Sequence, residues 1–145
     1  MTLRRFLAGT DGSKGAERAV AAAAELAKAV DGELTIITVS SDDLSDEEVR
    51  YAESVHISEG DVLETISRQY LIRAPNCARA CGVKKIETAL AVGDPAETII
   101  NSITGQHIDA VVVGRRGRGR LEAIILGSVS QKLAAQAPCI VIIVP

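Results

Sequence analysis

Short apolar segments recur along the chain, and longer stretches of mixed polarity separate them. The five segments cover residues 3–7, 34–39, 85–91, 110–113 and 140–144. Branched aliphatic side chains dominate most of them, which is typical of β-strands. Several are apolar at consecutive positions, as strands are when helices cover both faces of a parallel sheet. The pattern therefore predicts five strands.

The stretches between the strands have a helical pattern. They cover residues 16–30, about 48–80, 95 to about 104, and 128 to the residue before Pro138. Ser13 offers an N-cap oxygen to the first helix, and Asp94 followed by Pro95 favours the start of the third. The second stretch contains Gly60 and Pro75. We therefore expect one long helix or two, with Pro75 ending or kinking it.

The alternation of strands and helices predicts a doubly wound α/β fold, with a five-stranded parallel sheet and helices on both faces. A length of 145 residues suits one domain, and no internal repeat or second domain is visible, so we assign residues 1–145 to a single domain. Apolar residues make up 47% of the chain, but the only aromatic residues are Phe6, Tyr51 and Tyr70. The core should therefore be aliphatic.

Composition excludes several classes of function. A formal net charge of −3 gives no electrostatic case for nucleic acid or a membrane surface. No apolar run approaches the roughly 18–20 residues of a transmembrane helix, and the first residues lack a secretory pattern. We therefore expect a cytoplasmic protein. Cys77, Cys81 and Cys139 have no framework spacing, which favours reduced thiols, with Cys77 and Cys81 buried or half-buried.

Two loops are candidates for the chemistry, because both follow the carboxyl end of a predicted strand. The first is Gly9-Thr10-Asp11-Gly12-Ser13, and the second runs from Gly114 to Arg120 and closes on Gly127-Ser128-Val129-Ser130. In doubly wound sheets, ligands bind beyond the carboxyl ends of the strands, where the strand order reverses. If the first and fourth strands are neighbours, these loops face each other across one crevice.

The second loop suits a polyphosphate. Its glycines let the backbone N–H groups approach a ligand, and the helix that starts near Ser128 adds its positive dipole end. Ser128 and Ser130 add hydroxyl groups that can also help to hold a phosphate-bound metal. Four arginines raise the local potential: Arg115, Arg116, Arg118 and Arg120. A plain solvated loop remains an alternative, and Asp11 could hold a ribose or adenine or could merely shape its turn.

The spacing Gly114-x2-Gly117-x9-Gly127-Ser128 resembles the ATP motif of nucleotide-binding universal stress proteins. Other segments are similar to that family in the same order along the chain: Asp11-Gly12-Ser13, Val92-Gly93-Asp94-Pro95-Ala96, Val111-Val112-Val113-Gly114, Leu126-Gly127-Ser128-Val129-Ser130 and Ala137-Pro138-Cys139. The resemblance spans nearly the whole chain. It implies the family's form of the fold, which is similar to that of the adenine nucleotide alpha hydrolases.

The resemblance also implies a set of binding residues. Asp11 and the backbone near Gly9 and Val39 would hold the adenosine. The phosphates, usually bound with Mg²⁺ or Mn²⁺, would lie among Gly114, Gly117, Gly127, Ser128, Val129 and Ser130. No residue is assigned as a metal ligand independent of the phosphates. The middle segment with Pro75 departs from the family pattern.

These observations favour an ATP-binding regulator of the stress response over an enzyme. No residue stands out as the base that hydrolysis needs, although slow hydrolysis is left open. Neither His56 nor His107 completes a catalytic set, and both are expected at exposed positions. One alternative is a partner-binding module whose site is empty or holds AMP or cyclic AMP. Another is a nucleotide-using transferase, for which the chain has no extra substrate-binding sequence.

The last predicted strand, residues 140–144, is apolar on both faces and should lie at a sheet edge. Universal stress proteins commonly dimerise through this strand, so the resemblance implies a two-fold homodimer. The alternative is a monomer in which a loop covers the edge. The regulatory role also implies a protein partner of unknown identity.

Overall fold

The computed structural model describes residues 2–40, 46–115 and 126–145. Within these ranges, strands and helices alternate as the sequence predicts. The elements are β1 (Arg5–Gly9), α1 (Lys14–Ala29), β2 (Glu33–Ser40), α2 (Asp46–Val55), α3 (Glu59–Cys81), β3 (Lys85–Val92), α4 (Pro95–Gln106), β4 (Ala110–Gly114), α5 (Ser128–Gln136) and β5 (Ile140–Val144). The predicted α/β class is confirmed.

All five strands are parallel and form one sheet in the order β3-β2-β1-β4-β5. The chain builds outward from β1 to β3, and then returns to place β4 on the other side of β1. The strand order therefore reverses between β1 and β4, which is where a doubly wound sheet opens a crevice at its carboxyl ends. The first and fourth strands are neighbours, as the predicted crevice requires.

Two apolar clusters cover the two faces of the sheet. On one face, α1 and α3 pack against alternate strand residues such as Phe6, Ala8 and Ile36. On the other face, α4 and α5 pack against residues such as Leu7 and Val111. Small alanines on α1 let its backbone approach the sheet closely, and the only aromatic side chain in either buried core is Phe6. The predicted aliphatic core is confirmed.

The polar caps predicted for α1 and α4 are confirmed. Ser13 Oγ accepts a hydrogen bond from the N–H of Ala16 at 3.1 Å, and Asp94 Oδ2 accepts one from the N–H of Glu97 at 2.9 Å. Each bond satisfies one of the N–H groups that a helix start leaves without a partner. Both caps lie at the carboxyl edge of the sheet, because each helix follows a strand directly.

The middle of the chain forms two helices, but the break is not at Pro75. It lies between α2 and α3, where His56 has a positive φ of 55° and Ser58 caps the start of α3. Pro75 is buried inside α3, which continues to Cys81. Of the two predicted effects of Pro75, ending the helix was wrong, because packing against the sheet compensates for the backbone hydrogen bond that proline lacks. The alternative, that Pro75 kinks the helix, stays a prediction.

The first strand begins and ends later than predicted. Its last residue is Gly9, which pairs with Ile37, so the glycine does not stop the strand. At the other end, Asp109 Oδ2 accepts hydrogen bonds from the N–H groups of both Arg4 and Arg5, each at 2.9 Å. Asp109, which directly precedes β4, thus provides an acceptor for the two backbone N–H groups at the start of β1.

The three cysteines are free thiols, as predicted. Cys81 is half-buried, but Cys77 is exposed, so the prediction of a buried or half-buried Cys77 was wrong. The reason is the face of α3 that each occupies, since Cys81 packs toward the sheet core. Among the described helices, none combines the length and apolarity needed to cross a membrane.

Candidate functional site

The two candidate loops leave the sheet side by side. Ala8 of β1 pairs with Val112 of β4, so the end of β1 lies level with the end of β4. On its other side, the loop after β1 stays joined to β2, because the N–H of Thr10 donates to the carbonyl of Ile37 at 2.9 Å. Asp11 therefore stands at the switch point, between the carboxyl ends of β2 and β4.

The first loop is a tight turn built around Asp11. Asp11 Oδ1 accepts a hydrogen bond from the N–H of Ser13 at 2.9 Å, and Gly12 has a positive φ of 77°. The turn-shaping role considered for Asp11 is therefore present. This hydrogen bond fixes the orientation of the Asp11 carboxylate at the end of β1.

Gly114 brings the end of β4 against the start of α1. A Cβ atom at this position would lie 2.8 Å from the carbonyl carbon of Gly15, closer than a real Cβ approaches another atom. Gly9 is less crowded, since its Cβ would lie 3.3 Å from Ile99 Cδ1 and 3.4 Å from Val113 Cγ1. The absence of a side chain at Gly114 thus permits the close contact between the end of β4 and the start of α1.

The two ends of the second loop are tied together at Arg115. Its carbonyl accepts the N–H of Gly127 at 2.7 Å and the hydroxyl of Ser130 at 2.8 Å. The same hydroxyl also lies 3.0 Å from the carbonyl of Gly127, and Ser130 is buried. The predicted use of the Ser130 hydroxyl toward phosphate or metal does not fit this arrangement, because the hydroxyl proton is already donated inside the loop.

The start of α5 has the character of an anion site. Gly127 is its N-cap and supplies no side-chain hydrogen bond, so within the described residues no side chain caps the first-turn N–H groups at Ser128, Val129 and Ser130. Ser128 is exposed, whereas the side chain of Val129 packs into the cluster under α4 and α5. Val129 can therefore contribute only its backbone.

Two of the remaining predicted positions have different outcomes. Val39 lies near the end of β2 and packs into the same cluster as Val129, so it borders the crevice from the β2 side. Gly117 lies outside the described residues, as do Arg116, Arg118 and Arg120. Arg115 is described, and its Nε is buried without a hydrogen-bond partner among the described residues.

A charged contact links α4 and α5 at the carboxyl edge. Lys132 Nζ lies 3.5 Å from Asp94 Oδ2, the same oxygen that caps α4. The hydrogen bond from the N–H of Glu97 lowers the pKa of Asp94 below its ordinary value, and Lys132 lowers it further. In the described part of the chain, no group of three or more His, Cys, Asp and Glu could hold a metal ion.

Sequence reasoning missed one aromatic side chain beside the first loop. Tyr70 of α3 lies against Gly12, and a Cβ on Gly12 would overlap the Tyr70 ring. The ring and the turn leave a cavity between α1 and α3, next to the predicted crevice. The rarity of aromatic residues in this chain was the one feature that could have drawn attention to Tyr70.

The sequence matches one protein-family model over almost its whole length. The model of the universal stress protein family matches residues 2–145. The chain belongs to this family. A putative universal stress protein of Staphylococcus haemolyticus is 32% identical over 146 residues, which cover 99% of this chain and 86% of the relative.

Solved structures of universal stress proteins have the same fold. UspA from Lactobacillus plantarum superposes with a TM-score of 0.83 at 20% identity, covering 100% of this chain and 99% of the other. A universal stress protein solved in complex with cAMP has a TM-score of 0.72 at 28% identity, again covering 100% and 99%. The fold of this chain is thus the universal stress protein form of the doubly wound sheet.

Proposed function

We propose that this universal stress protein binds ATP in the crevice between the Asp11 turn and the N-terminus of α5. The observation that supports the proposal most strongly is the convergence of three features at the switch point. Asp11 is oriented there by its turn, Gly114 lets the end of β4 pack closely against the start of α1, and α5 starts without a side-chain cap. The spacing of Gly114, Gly117 and Gly127 is that of the family's ATP-binding members.

The proposed contacts divide between adenosine and phosphates. Asp11 and the backbone at Gly9 and Val39 are assigned to adenosine, because they border the crevice on the side of β1 and β2. The loop glycines and the N–H groups at Ser128 to Ser130 are assigned to the phosphates, since helix N-termini stabilise anions. Bound Mg²⁺ or Mn²⁺ would neutralise phosphate charge.

A calorimetric series over ATP, ADP, AMP and cAMP tests this assignment of the ligand. ATP should bind most tightly, because only ATP places three phosphates against the loop and the start of α5. A specific observation favours cAMP as the second candidate, since a structural relative at 28% identity was solved in complex with it. Tighter binding of cAMP or AMP than of Mg-ATP would replace the leading assignment with that alternative.

The proposed role of the bound nucleotide is regulatory. Transfer of a phosphoryl group requires a positioned water or base, together with stabilisation of the charge that develops. Among the predicted binding residues, Asp11 is the one carboxylate that could act as a base. A hydrogen bond from the N–H of Ser13 holds this carboxylate in the turn after β1. We propose that hydrolysis is slow or absent and that an unidentified protein partner responds to the nucleotide state. Release of phosphate at rates typical of dedicated ATPases would contradict this role.

We also propose a homodimer formed through β5. Among the strands of the described residues, β5 lies at the edge of the sheet and has β4 as its one neighbour. Its sequence, Ile140 to Val144, is apolar and contains no charge that would oppose pairing. Antiparallel pairing of two copies of β5 about a two-fold axis would join the two sheets into one.

A further inference from the structure

We propose that Tyr70 of α3 is a positioning residue for the nucleotide site, because its ring holds in place the turn that carries Asp11. The inference rests on the proposed function, in which Asp11 binds adenosine. Tyr70 acts through the turn and does not touch the nucleotide. Three features support this role: the contact of the ring with Gly12, the packing of α3 behind the ring, and the cavity beside the turn.

The hydrogen bonds described for the turn after β1 are local. Thr10 Oγ1 accepts the N–H of Gly12 at 3.3 Å, and Asp11 Oδ1 accepts the N–H of Ser13 at 2.9 Å. Each bond joins residues two apart in the chain, so the two bonds set the shape of the turn. They do not restrain the turn relative to α3. A contact with a separate element can restrain the turn as a whole.

Tyr70 supplies such a contact at Gly12. The Tyr70 ring occupies the place that a Cβ would take on Gly12, and Gly12 also has a positive φ of 77°. The ring therefore lies over the side of Gly12 that a side chain would otherwise fill. An aromatic ring offers a large and rigid contact surface. Because Gly12 directly follows Asp11, a restraint on Gly12 limits the movement of the Asp11 carboxylate.

The position of the ring is set by α3. Leu71 and Ala74, one and four residues after Tyr70, pack against the core cluster under α1 and α3. Beside them, Arg73 Nη2 lies 3.6 Å from Oε1 of Glu17, in the first turn of α1. Both charged side chains are more than half exposed, so this ion pair contributes little, and apolar packing holds the helix. Tyr70 thus presents a fixed surface to the turn.

The space beside the turn makes the contact with the ring important. Thr10, Gly12 and Tyr70 line a cavity of about 160 Å³ between α1 and α3. Loss of the ring would enlarge this space and leave Gly12 without packing on that side, because neighbouring groups relax only partly into a gap. The turn would then open more often, and the Asp11 carboxylate would be less well oriented for adenosine.

Isothermal titration of the full chain with Mg-ATP tests the role of Tyr70. We expect Tyr70→Ala to bind ATP about tenfold more weakly, because ordering the turn would then oppose binding. Tyr70→Phe keeps the ring and should bind within about twofold of the original chain. Tyr51→Ala is the matched control, since Tyr51 is 58% exposed on α2 and its loss should leave the affinity unchanged. If Tyr70→Ala does not fold, Tyr70→Leu removes the ring, keeps apolar volume and should also weaken binding.

Amide hydrogen exchange of the nucleotide-free chain, followed by NMR, separates positioning from a general loss of stability. The N–H of Ser13, which is bonded to Asp11, should exchange several-fold faster in Tyr70→Ala, because the turn opens locally. The N–H of Glu97, which is bonded to the Asp94 carboxylate at the start of α4, should be unchanged. Equal acceleration at both amides would indicate a general loss of stability and would overturn the positioning role.

Two results of the titration would overturn the inference and leave the proposed ATP site intact. One is equal ATP affinity of Tyr70→Ala and the original chain. The other is an equal loss in Tyr70→Phe and Tyr70→Ala, which would assign the effect to the hydroxyl group and not to the ring. Absence of ATP binding by the original chain would instead contradict the proposed function, and with it the role of Tyr70 toward a nucleotide.

Discussion

At the scale of single residues, the position of Gly114 depends on a contact that leaves no room for a side chain. The Cβ of alanine would lie 2.8 Å from the Gly15 carbonyl carbon and 3.0 Å from its oxygen. Both are backbone atoms, which cannot turn away as the end of a flexible side chain can. The strand end or the start of α1 would therefore have to shift.

We expect Gly114→Ala to lower the free energy of unfolding by about 1–3 kcal/mol, as overpacking does. Gly105→Ala is a matched control, because a Cβ there meets nothing within 4 Å inside α4. That change should be neutral or stabilise the protein by up to about 1 kcal/mol. Urea denaturation measures both. Equal effects of the two substitutions would contradict the close contact at Gly114.

Asp109 should make stability depend on acidic pH. Hydrogen bonds from the N–H groups of Arg4 and Arg5 lower its pKa below the ordinary value of 3.8. A carboxyl with a lowered pKa in the folded state stabilises the protein above its unfolded pKa, and this stabilisation is lost as the pH falls through the folded pKa. Asp109→Asn should therefore destabilise the protein at pH 7.

The difference between the original chain and Asp109→Asn should shrink as the pH falls below about 4, where unfolded Asp titrates. Thermal unfolding measured from pH 7 to pH 3 gives this difference directly. Asp61→Ala is a suitable control, because Asp61 is an exposed carboxylate on another element, α3. A difference that stays constant over this range would show that the charge of Asp109 does not contribute.

Some site residues could be predicted from the sequence, and others could not. Asp11, Gly114 and Gly127 follow predicted strands or precede a predicted helix, so their place at the carboxyl edge came from local pattern alone. Tyr70 is about sixty residues from Gly12 along the chain. Only tertiary packing of α3 on α1 brings them together, and no local pattern describes that contact.

At the scale of elements, the first helix depends on the loop that enters it. Ser13 caps α1 and also donates its N–H to Asp11, so one residue orients both the helix start and the candidate ligand group. Loss of the cap should affect stability more than the shape of the turn, because the N–H of Ser13 belongs to the backbone and remains after substitution.

Ser13→Ala should cost about 1 kcal/mol of stability, the usual effect of removing an N-cap oxygen. The matched control is Ser102→Ala, since Ser102 donates its hydroxyl to the carbonyl of Thr98 inside α4. Alanine has a higher helix propensity there, so the control should change stability by no more than about 0.5 kcal/mol. Chemical denaturation gives the free energy of unfolding of both variants. A smaller decrease for Ser13→Ala than for Ser102→Ala would show that the cap does not contribute to stability.

Most helices and strands could be predicted from the sequence, because helix caps and strand-forming residues are features of the local sequence. Asp94 and Pro95 start α4, and the apolar run at Ile140 to Val144 forms β5 with the predicted bounds. The break between α2 and α3, and the continuation of α3 through Pro75, could not be predicted in this way. They depend on how the helix packs on β2 and β3, which overrides the intrinsic preference of proline.

At the scale of the whole molecule, the proposed dimer is based on the position of β5 at the edge of the described sheet. The N–H of Ile140 donates to the carbonyl of Asp109 on the β4 side. Because N–H groups alternate in direction along a strand, those of Val141 and Ile143 point away from β4. These outward groups are the ones that pairing with a second copy would use.

Ile143→Pro should convert the dimer to a monomer, because proline has no N–H to donate across the edge. Ile143→Ala controls for the lost side chain, since Ile143 packs into the cluster under α4 and α5 but alanine keeps the N–H. Size-exclusion chromatography with light scattering gives the mass of each variant. A dimer that survives Ile143→Pro, or a monomeric original chain, would argue against pairing through β5.

The central claim is that the crevice at the switch point holds ATP. Isothermal titration of the full chain with Mg-ATP tests it most directly, alongside Asp11→Ala, Gly117→Ala and the matched control Asp61→Ala. We predict saturable binding of one ATP per chain, at least tenfold weaker in the Asp11 and Gly117 variants and unchanged in the control. No binding by the original chain, or equal binding by all four proteins, would contradict the account.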